Sequence, residues 1–275
     1  MQEQVCKNCS NHFTGKYCNN CGEKIYSDKD KKITHLLEEG LHFITHFEGT
    51  FFTTLKTILL RPGKLSEDYC QGIRKKYFKP LSFFLFLVVI YLLFPLLDGL
   101  NTKLFYHTQH EMYGAFAQQK AEAIMAAQKI SFEALSENFH HKSMIVSKIL
   151  LFTIIPFMAG ISFLLAFNKR KFYYDHFVYS IEHTSFLLLW GFLIFPLIML
   201  GAATLFSIQL TDNQWLIGIP ILVGMIIFTK TSSRRFFKMN HLRSITYSFI
   251  YLVVLFLFLQ YIYKFLLFYF TIIQI

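Results

Sequence analysis

Apolar residues in this chain are gathered into long runs, and the runs are separated by short basic segments. A helix needs about 20 apolar residues to cross the hydrocarbon of a bilayer. Five segments approach that length: residues 80–97 (PLSFFLFLVVIYLLFPLL), 149–167, 186–208, 215–229 and 245–270. The pattern predicts an all-α integral membrane protein with about five transmembrane helices, its membrane domain covering residues 80–275. Residues 98–148 read as a long loop outside the cytoplasm. Within it 115–138 has the Ala, Gln, Glu and Lys content of a helix, and His107, His110, His140 and His141 are expected to face water. Pro95, Pro156, Pro196 and Pro220 fall in or at the ends of four spans, where neighbouring helices accommodate kinks. Lys264 lies deep in the last apolar run and reads as a snorkelling side chain at the outer interface.

Ahead of the spans the periodicity changes. Over residues 33–60, Leu36, Leu37, Phe43, Ile44, Phe47, Phe51, Leu55 and Ile58 share one helical face, which predicts interfacial amphipathic helices within 27–79. The opposite face carries His35, Glu39, His42 and His46. His42 and His46 stand at i,i+4, close enough to share a metal or to sense protons. A solvated polar stripe explains the same residues. Pro62-Gly63 ends this stretch. A short helix follows over 65–71, stopped by Gly72, with Cys70 expected to be half-buried. Arg74, Lys75 and Lys76 then meet lipid headgroups, with Tyr77 and Phe78 at the aromatic belt.

Charge orients the chain. Of its 27 Lys and Arg residues, 21 lie before residue 80, in 168–184 or in 229–243, all on one side of a five-span arrangement. The positive-inside rule puts that side, and the N-terminus, in the cytoplasm and the C-terminus outside. The net charge of +10 is thereby accounted for by topology and anionic lipid. Nucleic-acid binding becomes a minority reading.

The first 26 residues are polar and hold CKNCSNHFTGKYCNNCG (6–22). Two Cys-x-x-Cys pairs separated by eight residues bring Cys6, Cys9, Cys18 and Cys21 to one tetrahedral ion, the geometry of a structural zinc site. A segment this short has no apolar core, so the metal supplies its folding free energy, roughly 10–16 kcal/mol in zinc-finger peptides. A redox pair lacks the βαβ context it requires. The expected cofactor is one structural zinc in a zinc-ribbon-like knuckle.

A second set of polar residues opens the third span. In FYYDHFVYSIEHTSF (172–186), His176, Tyr179 and His183 share a face, edged by Asp175 and Glu182. They form a candidate site for metal, protons or a lipid phosphate; a polar helix face packed on cytoplasmic loops is the alternative. No Ser-His-Asp set, phosphate loop or HExxH motif occurs.

The order of these features resembles the bacterial proteins grouped as domain of unknown function 3667. The resemblance rests on a zinc-ribbon start, then a T-x-x-x-T-x-x-x-R-P-G stretch (Thr53, Thr57, Arg61, Pro62, Gly63), then Tyr69, and G-x-R-x-x-Y-x-x-P (Gly72, Arg74, Tyr77, Pro80). It extends more loosely to Tyr174–Phe186. It implies a multi-pass protein of the bacterial inner membrane and no particular activity. The leading expectation is an adaptor or regulatory protein whose cytoplasmic zinc module binds a protein partner. The alternatives are a transporter or channel with a His-lined cytoplasmic entrance, and a lipid-acting metalloenzyme.

Overall fold

In a computed structural model of the 275-residue chain, the structure describes residues 3–25, 49–93, 100–206 and 214–275. His35, Glu39, His42, His46 and Pro95 lie outside the described residues. A hairpin of β1 (Gln4–Val5) and β2 (His12–Phe13), paired antiparallel with Val5 opposite His12, comes first, and the later described elements are helices. The helices are α1 (Gly49–Leu60), α2 (Lys64–Cys70), α3 (Pro80–Leu93), α4 (Leu104–Thr108), α5 (Gly114–Gln128), α6 (Phe132–Ala166), α7 (Tyr173–Leu187), α8 (Phe195–Phe206), α9 (Gln214–Phe236), α10 (His241–Leu257) and α11 (Lys264–Ile272). Two π-helical segments, Leu188–Ile194 and Phe258–Tyr263, join α7 to α8 and α10 to α11 without a break.

Among the described residues three continuous helical stretches are long and apolar enough to cross a membrane: Phe132–Ala166, Tyr173–Ala202 and His241–Ile272. Gly49–Leu60 and Pro80–Tyr91 are shorter apolar helices. The span expected at 149–167 is thus the C-terminal half of a helix that starts at Phe132.

The chain folds as two compact units: Met1–Phe94 with Ile155–Tyr251, and Pro95–Ile154 with Leu252–Ile275. In the first unit α7 is the central helix. Every residue from Tyr174 to Leu187 is buried, including Asp175, His176, Glu182 and His183. A helix this polar stays buried at least cost where its charged and imidazole groups find partners, and Asp175, His176, Glu182 and His183 find them in neighbouring segments.

The π turn that follows α7 has a local cause. Pro196 has no N–H to give and its ring crowds the carbonyl four residues back. The ladder therefore shifts register, and the Phe195 N–H bonds to Trp190 O, five residues back. The Trp190 indole N–H then donates to Pro220 O at 3.2 Å. Position 224 is glycine for a related reason: a Cβ there would lie 2.2 Å from the Trp190 ring nitrogen.

The second unit is built on Leu104, Tyr113, Ala117, Ala121, Leu135, Phe139, Phe268 and Ile272. The helix expected over 115–138 is two helices, parted at Lys129, which takes a left-handed φ of 55°. His107 is a correction to the expectation of solvated histidines. It is fully buried, its Nδ1 lies 2.8 Å from the Tyr113 hydroxyl, and its ring meets Phe139 edge-on. His110 stacks on Tyr113 at 4.1 Å. Both histidines read as polar in sequence because nothing local announces the aromatic box that encloses them. Lys264 is half-buried, and its ammonium donates to Gln260 Oε1.

Candidate functional site: a four-cysteine centre and its anchor

The ligand-capable atoms of Cys6, Cys9, Cys18 and Cys21 all lie within 4.8 Å of one another. Cys6 Sγ is 3.5 Å from Cys21 Sγ, and Cys9 Sγ is 3.6 Å from Cys18 Sγ. Four thiolates about 2.3 Å from a tetrahedral ion stand roughly 3.8 Å apart, so the four sulfurs fit one metal ion.

The two halves of the site repeat one backbone pattern. The Cys6 N–H bonds to Asn11 O and the Ser10 N–H to Cys6 O; the Cys18 N–H bonds to Glu23 O and the Gly22 N–H to Cys18 O. Each turn closes on a residue with positive φ, Ser10 at 60° and Gly22 at 67°. The second position is legible as Gly in CNNCG; the first is hidden, because serine occupies it.

Electrostatics suit anionic ligands. Burial alone would raise the Cys18 thiol, but the backbone N–H groups of Cys21 and Asn20 aim at its sulfur and bring it down to about 6. Burial pushes Cys6 up to about 11, where only a cation would draw off its proton. Among the described residues no other group of His, Cys, Asp or Glu clusters in this way.

One edge of the knuckle is anchored to the turn after α2. The Lys75 N–H donates to Glu23 Oε2 at 2.9 Å, its ammonium to Cys21 O, and the Lys7 ammonium to Gln71 O at 3.1 Å. Lys75, expected at headgroups, is thus engaged by the cysteine module. Lys76 is exposed, with Asp68 3.9 Å away. Arg74 lies over the Tyr69 ring and donates to the Tyr174 hydroxyl at 3.0 Å. Cys70 is buried rather than half-buried, and burial, reinforced by Asp175, raises its thiol well above the usual range.

The turn at Arg61–Gly63 is clasped in turn by α7 and α9. The Gly63 N–H donates to Glu182 Oε1 at 2.9 Å and the Ser66 N–H to Oε2 at 2.8 Å; the Ser66 hydroxyl also donates to Oε2. Arg235 Nη1 donates to Pro62 O at 2.7 Å. Gly63 holds φ +77°, and a Cβ on it would lie 2.7 Å from Ser232 O and 2.8 Å from Ser232 Cα. The glycine therefore serves both a left-handed turn and a backbone contact.

This geometry separates the second polar set. His176 bonds through Nδ1 to the Ser162 hydroxyl and through Nε2 to Arg170 O. His183 Nε2 meets Thr229 Oγ1 at 2.9 Å, the Tyr179 hydroxyl meets Ser232 Oγ at 2.9 Å, and Asp175 faces Arg170 at 3.6 Å. His176 and Asp175 both meet Arg170, His183 and Tyr179 turn to Thr229 and Ser232 of α9, and Glu182 caps α2. The one-face arrangement seen on a helical wheel does not bring them to a common point.

Thr54, next to the Thr of the sequence motif, accepts the Phe78 N–H at 2.8 Å and donates to Thr50 O. It fixes α1 against the start of α3. Nothing in the sequence distinguishes it from its neighbours.

A family model described as "Protein of unknown function (DUF3667)" matches residues 48–92, the stretch that forms α1, α2, the anchoring turn and α3. Searches of curated proteins and of solved structures gave no match.

Proposed function

On a chain that matches this family of unknown function over residues 48–92, we propose an adaptor or regulatory membrane protein whose four-cysteine module holds a structural zinc ion and binds a protein partner. The observation that carries this reading is a closed four-thiolate site that, among the described residues, is anchored along one edge. With all four corners taken by cysteine there is no open position for substrate, the mark of a structural rather than a catalytic zinc. On this module Tyr17 stands 60% exposed. Tyrosine is among the residues enriched at the energetic centres of protein contacts.

The same proposal places the module in the cytoplasm and the chain in a bacterial inner membrane with about five spans and an extracytoplasmic C-terminus. Support comes from the basic segments that recur on one side of that arrangement. The three long apolar helices fit the membrane part.

The test is metal content and partner retention in full-length protein purified from its native membrane in mild detergent. Wild type is expected to carry one zinc per chain and a stoichiometric partner. Cys18→Ser/Cys21→Ser loses both, whereas Tyr17→Ala keeps the zinc and loses the partner. A partner that remains on the metal-free variant would refute the reading.

A further inference from the structure

The last turns of α9 carry a concavity of about 610 Å³ lined by Lys230, Arg234, Arg235 and Lys238, with Ile227 and Met239 at its apolar edge. Among the described residues no acidic side chain lines it. A helix C-terminus attracts cations through its dipole, but that accounts for charge on the last turn and not for basic side chains gathered round a hollow. Arg235 is already engaged by Pro62 O at 2.7 Å, and Glu182 lies close enough to feel its charge. Lys230, Arg234 and Lys238 are in none of the ion pairs of the described residues.

The face of α9 leading to this hollow is exposed and purely apolar. Leu222, Val223, Ile226 and Ile227 are all exposed, and they continue at helical spacing into Lys230 and Arg234, with Lys238 just past the end of α9. One stripe of one helix therefore changes from hydrocarbon-compatible to cationic within a single turn. That is the profile of a phospholipid lying alongside: acyl chains on the aliphatic stretch, phosphate at the cations.

We propose that this hollow is a binding site for the phosphate headgroup of an anionic phospholipid, whose acyl chains run along Leu222–Ile227. The site is separate from the Arg74–Lys76 segment and does not depend on the adaptor reading.

The experiment uses full-length protein in phosphatidylcholine nanodiscs with and without phosphatidylglycerol, read by native mass spectrometry and by thermal unfolding. The test variant is Lys230→Gln/Arg234→Gln/Lys238→Gln. It leaves Arg235, which holds Pro62, in place, and its unfolding in lipid-free detergent checks that it folds. Retention of phosphatidylglycerol by wild type is expected to fall about a hundredfold in the variant, a factor of about five for each of three basic residues at the membrane surface. Lys75→Gln/Lys76→Gln should change it little. Equal loss in both variants, or equal retention of phosphatidylcholine, would overturn the proposal. So would stabilisation by inorganic phosphate with no retention of lipid, which would make the hollow a site for a soluble anion.

Discussion

Gly63→Ala concentrates several consequences of the fold in one methyl group. At φ +77° an alanine pays about 1 kcal/mol or more for the left-handed conformation. Its Cβ would also overlap the Ser232 backbone, with atoms at 2.7 and 2.8 Å. Backbone cannot swing aside as a lysine tip can, so the turn must lift from α9, a packing change worth about 1–3 kcal/mol. Lifting the turn lengthens the Gly63 N–H bond to Glu182 and the Arg235 bond to Pro62 O, charge-assisted bonds of about 1.5–3 kcal/mol each. With partial relaxation the expected loss is about 2–5 kcal/mol. Equilibrium unfolding in detergent, by denaturant titration, measures it. Gly160→Ala, where a Cβ meets nothing within 4 Å, is the control and should be neutral or slightly stabilising. A double-mutant cycle with Glu182→Gln should show strong non-additivity, since both changes act on one hydrogen bond. A Gly63→Ala protein within about 0.5 kcal/mol of wild type, the range of an ordinary surface change, would refute the clasp.

Glu182→Ala removes the acceptor of the Gly63 N–H and of both Ser66 donors and leaves Arg235 without its nearby acid. With three donors left unpaired in a buried place it should cost about 3–5 kcal/mol in the same assay, while Glu182→Gln, which keeps the shape and one good acceptor, costs less. Burial holds His107 down to about 3, below the ordinary value near 6.5. A depressed base is neutral when folded and gains its proton on unfolding, so its contribution to stability is complete above pH 6.5 and is lost as pH falls from there toward 3, by at most about 1.4 kcal/mol per pH unit. Subtracting the pH profile of a His107→Gln variant from that of wild type should isolate this slope; two parallel profiles would contradict it. Chelation of the metal should raise amide exchange throughout residues 3–25, because that segment has almost no apolar core of its own. Unchanged exchange there would mean that the hairpin and its anchor suffice.

Part of this protein is legible in its amino-acid sequence, residue by residue. Apolar runs as long as a bilayer is thick permit few alternatives, because a backbone in hydrocarbon must satisfy its own hydrogen bonds and a helix does so. Paired Cys-x-x-Cys at short spacing is nearly as restrictive, since the turn between the cysteines sets where the sulfurs point. Both signals are local: each depends on residues that are close in the chain. The helix over 65–71 and its stop at Gly72 are legible for the same reason.

Tertiary structure decided what depends on residues far apart. Along the chain Glu182 has the look of the edge of a polar cluster; its partners are 116 and 119 residues away, and they make it a helix cap. His176 and His183 share a helical face, yet helices packed from different directions give each its own acceptor. His107 and Cys70 look solvent-tolerant in sequence and are buried. A helical wheel gives the direction of a side chain about its own axis. Which neighbour waits there depends on long-range packing, because a buried polar group must be paired by whatever backbone or side chain the fold brings to it.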